Sequence, residues 1–207
     1  MPDTALPTLD GRPIPAADDP YDLFAAWFAE AAASEINDPN AMTVATCTAS
    51  GIPSARIVLL KDYDPDGFVF YTNRDGRKGG ELIANPRAAL LFHWKTLQRQ
   101  VRIEGDVVPV TNTEADAYYA TRARISRLGA WASLQSRPLP ARAVLEERVR
   151  DFEARYPGED IPRPPHWSGF RVIPATIEFW QDMPFRLHDR RVYTRVHSGW
   201  TQEALYP

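Results

Sequence analysis

Several short segments of the 207-residue chain carry residue types that could bind and orient a ligand. The sharpest is Tyr71-Thr72-Asn73 followed by Arg74-Asp75-Gly76-Arg77-Lys78, a strand end turning into a helix whose first residues are Arg77 and Lys78. The helix dipole is already positive there, so two cations call for an anion, and free backbone N–H groups would help hold a phosphate. A short surface turn with solvated charges explains the segment equally well. A second cluster, Arg186-Leu187-His188-Asp189-Arg190, follows Glu178-Phe179-Trp180-Gln181. Read as a strand, it puts Arg186, His188 and Arg190 on one face, where they repel unless an anion or polar ligand lies among them.

Other segments are weaker. Arg56 and Lys61 bracket Ile57-Val58-Leu59-Leu60, and alone favour a solvated sheet edge. Gln100 lies in an alternating strand, Leu97 to Gly105, and could meet a heterocycle edge. Tyr118 and Arg122 share a helix face, while Arg122-Ala123-Arg124 can interrupt the helix before Ser126. The three could hold a phosphorylated ring, or Tyr118 and Arg122 form a surface pair. Gln135-Ser136 leave a helix and serve equally as its C-cap. His93 and His166, flanked by aromatics, read as structural, and His197 as exposed.

The elements that must position these residues can be read in outline. Asp19-Pro20 starts a helix whose Leu23, Phe24, Trp27, Phe28 and Ala31 form one apolar face. Strands are expected at 41–48, 55–61 and 67–73, a helix at 77–84, and strands at 88–94 and 100–110. Helices follow at 113–120, 125–132 and 141–156, then a Pro-rich connector over 158–165. Further strands are expected at 170–173, 176–181, 185–187 and 192–196. Short antiparallel strands with helices inserted between them predict a mainly β, α+β fold, a small barrel decorated by helices. Residues 1–18 read as a flexible N-terminal arm, and 19–207 as a single domain.

Composition narrows the class. The net charge of −3 lacks the basic excess of a general nucleic-acid binder. Only Lys61, Lys78 and Lys95 are lysines among 24 basic residues; the arginine that dominates suits two-pronged grips on phosphate and carboxylate. A single cysteine, Cys47, leaves no disulfide framework or multi-cysteine metal site and reads as a buried small hydrophobe. Metal, P-loop and esterase motifs are missing, so no metal is expected. With no signal-like start and no long apolar run, the expectation is a soluble, cytoplasmic protein without membrane contact.

Taken in order, these segments resemble the pyridoxine/pyridoxamine 5′-phosphate oxidase family over about Pro20 to Pro207. The resemblance is carried by Asn40-Ala41-Met42, Arg56-Ile57-Val58-Leu59-Leu60-Lys61, Phe70-Tyr71-Thr72-Asn73, Arg77-Lys78, Arg99-Gln100-Val101-Arg102, Gly129-Ala130-Trp131-Ala132-Ser133 and Gln135-Ser136. It continues through Pro165-His166-Trp167-Ser168-Gly169, Glu178-Phe179-Trp180-Gln181 and Arg186-Leu187-His188-Asp189-Arg190. The resemblance implies a split β-barrel homodimer binding FMN between protomers. Arg56, Ile57, Val58, Leu59, Leu60, Lys61, Tyr71 and Thr72 would lie along the flavin, and Arg77 and Lys78 at its phosphate. Gln100, Gln135, Ser136, Trp180 and Arg190 would complete that site, partly from the other subunit. Lys61, Tyr118, Arg122 and Ser126 would grip the substrate phosphate, while Arg186 and His188 act at its ring. The implied reaction oxidises pyridoxamine or pyridoxine 5′-phosphate with O2 to pyridoxal 5′-phosphate and H2O2. A related flavin oxidase of phenazine biosynthesis is the alternative. Three departures stand out: Gly76 where the family usually has Ser, Ala123 where it has Pro, and no Arg before the final Leu-x-Pro.

Overall fold

The computed structural model describes residues 11–207. Helix α1 (Pro20–Ser34) starts where Asp19 accepts a hydrogen bond from the Tyr21 backbone N–H and Pro20 occupies the first turn. Its apolar face supplies the centre of the core. Phe24 meets Phe68 and Phe92 edge-on at 5.0 and 5.3 Å, and Trp27 meets Phe179 at 5.2 Å. All are buried.

The strands that receive this helix are β1 (Ala41–Cys47), β2 (Pro53–Leu59), β3 (Asp62–Asp64), β4 (Gly67–Asn73), β5 (Arg87–Trp94), β6 (Arg99–Pro109), β7 (Trp167–Gln181), β8 (Asp189–Val196) and β9 (Gly199–Ala204). They form one antiparallel sheet in the order β2-β1-β5-β6-β7-β4-β3, with β8 and β9 branching from β7. Alternating burial along β1, β5 and β6 follows from the period-2 side-chain pattern of a sheet with one face on the core. The curled sheet is a split barrel, as expected. Around it lie α2 (Arg77–Ala84), α3 (Asn112–Ala120), α4 (Arg124–Ala132) and α5 (Arg142–Arg155).

The fifteen-residue β7 organises the molecule. One edge pairs with β4 over Trp167–Val172 and then with β8 over Thr176–Gln181; the other edge pairs with β6. The sequence pattern predicts a break in this strand at Pro174. The break is absent because Pro174, which cannot donate to a ladder, sits opposite Gly105 where the β6 register shifts. A Cβ on Gly105 would lie 1.9 Å from the Ile173 carbonyl oxygen, so only glycine fits.

Four more differences bear on the site. The strand expected at 185–187 is a 3-10 turn, Pro184–Arg186, with φ of +59° at Phe185 and +61° at Arg186. Strand β2 ends at Leu59, so Leu60 turns into the core and Lys61 lies beyond the strand. The short strands β3 and β9 lacked a clear sequence signal. Finally, the part of the N-terminal arm that is described, from Gly11, is docked rather than loose. The Ile14 N–H donates to Asp189 Oδ2 (2.7 Å), Tyr193 Oη donates to Ala17 O (2.9 Å), and the Ile14 side chain is buried. Residues 1–10 of that expected arm lie outside the described residues.

Candidate active site

Two clefts collect the candidate residues. The first, about 720 Å³, lies between β2, the end of β4, the start of α2 and the α3–α4 corner. Thr111 caps α3 in a reciprocal capping box with Glu114, and the helix stops at Ala120. Residues 121–123 then turn the chain before α4, bringing Arg122 and Ser126 onto the same cleft as Tyr118. The interruption read from Arg122-Ala123-Arg124 is therefore real. Aromatic rings build one wall: Tyr71 stacks on Tyr118 at 4.2 Å and on Trp167 at 5.4 Å.

The electrostatics of this cleft are one-sided. Its lining includes Lys61, Lys78 and Arg122, and no carboxylate. Lys61 Nζ stands 5.9 Å from the Tyr118 ring centre. The Arg122 guanidinium lies over Trp167 at 4.8 Å, and its buried Nη1 has no hydrogen-bond partner among the described residues. Burial lowers the Arg122 pKa. Lys78 Nζ donates to Thr72 Oγ1 (2.8 Å) and Gln135 Oε1 (2.9 Å), both neutral acceptors. Burial, reinforced by nearby Arg56, pulls the Lys78 pKa down. Lys78 and Arg122 are half-buried and Lys61 is exposed, and a cation partly withdrawn from water without a counter-charge is costly unless a ligand supplies the charge. The donor set therefore fits an anionic ligand. A Cβ on Gly76 would fall 2.6 Å from Gln135 Oε1, so the departure at Gly76 makes room for the amide that holds Lys78.

Arg77 behaves differently from its neighbour. Its Nε donates to Glu81 Oε1 (2.9 Å), one turn along α2. Glu81 also accepts from Thr46 and Ser54 and pairs with Arg56 at 3.4 Å. Burial alone would raise the Glu81 pKa, but the hydrogen bonds from Ser54, Thr46 and Arg77 outweigh it and hold the value at about 2. Arg77 thus finds its anion within the chain, as neither reading of this helix start foresaw, whereas Lys78 beside it has no carboxylate partner among the described residues.

The second cleft, about 360 Å³, is lined by Gln100, Arg102, Glu178, Trp180, Arg186, His188 and Arg190, with Leu91 and Pro207. Strand pairing places Gln100 and Arg190 on either side of Trp180. Here two of the three arginines are partnered. Arg190 binds Glu178 through Nε (2.8 Å) and Nη2 (2.7 Å), and Arg102 binds the other Glu178 oxygen. His188 Nδ1 lies 2.9 Å from Asp182 Oδ1, with its ring 4.6 Å from Trp180. Arg186, on the exposed 3-10 turn, has no ion pair among the described residues. Arg186, His188 and Arg190 do share a cleft, but through a turn rather than a continuous strand. Glu178 offsets the charge of Arg190 beside Arg186.

Of the candidate residues, Ile57, Val58, Leu59, Lys61, Tyr71, Thr72, Lys78, Tyr118, Arg122, Ser126 and Gln135 line the first cleft. Gln100, Trp180, Arg186, His188 and Arg190 line the second. Arg56, Leu60, Arg77 and Ser136 line neither: Arg56 and Arg77 hold Glu81, and Leu60 is in the core. No residue belongs to both clefts. Tyr71 pairs with Gly169 and Gln100 with Trp180, eleven residues apart on β7. At about 3.3 Å per residue that is a separation of about 36 Å along the strand, so the two clefts of one chain stand well apart. Sequence reasoning missed Asp182, which has no motif to mark it, and Glu81, hidden as an ordinary helix-surface residue.

A split barrel whose cleft is lined by arginine and lysine and by no carboxylate is the arrangement to set beside known proteins. A family profile described as "Pyridoxamine 5'-phosphate oxidase" matches residues 28–180, and one described as "Pyridoxine 5'-phosphate oxidase C-terminal dimerisation region" matches 167–207. A pyridoxine/pyridoxamine 5′-phosphate oxidase from Sphingopyxis alaskensis is 63% identical over 191 residues, covering 92% of this chain and 88% of the relative. One from Rhodospirillum rubrum is 63% identical over 194 residues, covering 91% and 96%. The crystal structure of PhzG from Burkholderia lata in complex with tetrahydrophenazine-1-carboxylic acid superposes with a TM-score of 0.87. It is 31% identical and covers 99% of this chain and 98% of that one. An FMN-binding protein from Nostoc punctiforme (TM-score 0.73, 17% identity, covering 93% and 100%) shares the fold. The chain belongs to the pyridoxamine 5′-phosphate oxidase family and is an oxidoreductase. Among the described residues, no helix is long and apolar enough to cross a membrane.

Proposed function

We propose that the protein is a homodimeric, FMN-dependent oxidase that converts pyridoxamine or pyridoxine 5′-phosphate to pyridoxal 5′-phosphate, using O2 and releasing H2O2, with one water consumed and ammonia released when the substrate is the amine. The observation that carries the reading is the separation of the two clefts on one chain. A two-fold axis presents the second cleft of one copy to the first cleft of the other, so each dimer has two complete sites. The C-terminal match to a dimerisation region, which contains the whole of β7 and β8, supports this arrangement. The single domain over 19–207, with its docked arm, is the unit that pairs.

The cations of the first cleft divide between two anionic groups. Lys78, steadied by Thr72 and Gln135, holds the FMN phosphate, with β2 residues Ile57 to Leu59 along the ring system. Lys61, Tyr118, Arg122 and Ser126 hold the substrate phosphate, and the unpartnered Arg122 Nη1 finds its acceptor there. From the partner copy, Gln100, Trp180 and Arg190 close on the flavin, while Arg186 and His188 cover the substrate ring. A flavin held by these residues would supply the two-electron redox chemistry between the substrate carbon and O2. The protein's own contribution is to fix the substrate carbon against the flavin and to balance charge. No metal enters the scheme.

The test is aerobic turnover by the FMN-loaded protein, following pyridoxal 5′-phosphate and peroxide together. The expected result is one equivalent of each from pyridoxamine or pyridoxine 5′-phosphate. Bound FMN without product from either substrate would contradict the reading and favour a related ring substrate, of the kind bound to PhzG.

A further inference from the structure

The orientation of His188 is set from behind the cleft. Its Nδ1 lies 2.9 Å from Asp182 Oδ1 and 3.3 Å from the Met183 backbone nitrogen. In the neutral ring these contacts exclude one another. Nδ1 either carries the proton and donates, or presents a lone pair and accepts. An ionised carboxylate only accepts, so the Asp182 contact requires Nδ1–H. The Met183 N–H only donates, so its contact requires the bare nitrogen. The Met183 contact has hydrogen-bond geometry and the Asp182 contact is an ion-pair approach, but the latter is much the closer: a bare Nδ1 at 2.9 Å from a carboxylate oxygen sets two lone pairs against each other, which a proton on Nδ1 removes.

Asp182 is held in place to act on the ring. It is the first residue beyond β7, and its backbone N–H donates to Gln98 O (3.0 Å). The preceding Gln181 is buried and accepts from Arg99 Nε at 2.8 Å. Trp180 packs against the imidazole, and His188 lines the second cleft beside Arg186. Among the described residues no protein group bonds His188 Nε2.

We propose that Asp182 is a positioning residue that locks His188 as the Nδ1–H tautomer, so that Nε2 offers a lone pair to an O–H or N–H of the substrate ring. The inference rests on the reading of His188 as substrate-facing. Arg186 carries donors only, so the pair at the ring becomes one donor and one acceptor. Removing the carboxylate frees Nδ1 to accept from Met183 N–H. The proton then moves to Nε2, and the ring changes from acceptor to donor without changing position.

The experiment is nitrogen-15 NMR of the histidine-labelled, FMN-saturated protein across a pH series that includes the neutral ring. The chain has 4 histidines, and the spectrum of a His188→Asn variant identifies the signal. The neutral wild-type ring is expected to carry its proton on Nδ1, Asp182→Ala to carry it on Nε2, and Asp182→Asn, whose side-chain carbonyl still accepts, to keep it on Nδ1. In parallel, Asp182→Ala should lose about tenfold or more in kcat/KM, the worth of roughly one charge-assisted hydrogen bond, with unchanged FMN affinity. Asp182→Asn should recover most of that loss. An Nε2–H tautomer in the wild type, or no change in Asp182→Ala, overturns the proposal. The spectrum reports the tautomer whether or not vitamin B6 phosphates are substrates, so a failed turnover assay and a failed role for Asp182 are told apart.

Discussion

The two clefts handle positive charge in opposite ways. In the first, Lys61, Lys78 and Arg122 meet aromatic faces and neutral oxygens but no carboxylate. In the second, Glu178 pairs with Arg102 and Arg190, and Asp182 with His188. A cleft that leaves its cations without acidic partners is built to be completed by anions from outside. A cleft that supplies its own carboxylates is built to aim donors and acceptors at a ring. Under the proposed function, the difference would separate holding the ligands from orienting the reacting atoms, with the two tasks at opposite ends of β7.

The largest effect that sharpens this contrast is expected at Arg186, the second-cleft cation without an ion pair. Arg186→Ala should leave FMN bound and cut kcat/KM by roughly 10²–10³, comparable to losing a preorganised donor at a reacting centre. Loss of the flavin colour instead would move Arg186 into cofactor binding and blur the division. Lys78→Ala should act in the reverse sense, raising the FMN Kd by about 10- to 150-fold, as expected for a charge-assisted bond worth about 1.5–3 kcal/mol. Because burial lowers the Lys78 pKa, wild-type FMN affinity should fall as pH rises through that lowered value, and the variant should lack this limb. A flavin titration unchanged by the substitution would contradict the claim that the first cleft waits for an anion.

Much of the frame was legible because it depends on local signals. The Asp19-Pro20 start and the apolar face of α1 were readable, as were the limits of β4 and α2, set by Gly67 and by Asn85-Pro86. The turn at Pro184–Arg186 was not, because positive φ at Phe185 and Arg186 runs against residue preference and is imposed by the surrounding structure. Continuity of β7 through Pro174 was equally hidden, since it depends on Gly105 in another strand. The charge logic of the site was half legible. Arg77 and Lys78 looked alike in sequence, yet one pairs with Glu81 and the other does not; that distinction needed Thr46, Ser54 and Arg56 brought together by the β1–β2 pair. The likeness to a known family named the residues, and only the fold showed that Arg56, Leu60, Arg77 and Ser136 stand outside both clefts.

The central claim is that each site joins the first cleft of one chain to the second cleft of another, and complementation tests it most directly. Arg122→Ala and Arg186→Ala chains, each nearly inactive as a homodimer, would be coexpressed with different tags and the mixed dimer purified. One of its two sites then contains neither substitution, so the account predicts about half the wild-type activity. A mixed dimer of Arg122→Ala with Lys61→Ala, both in the first cleft, should remain inactive. An inactive Arg122→Ala/Arg186→Ala mixed dimer would contradict the shared site and place all the chemistry within single chains.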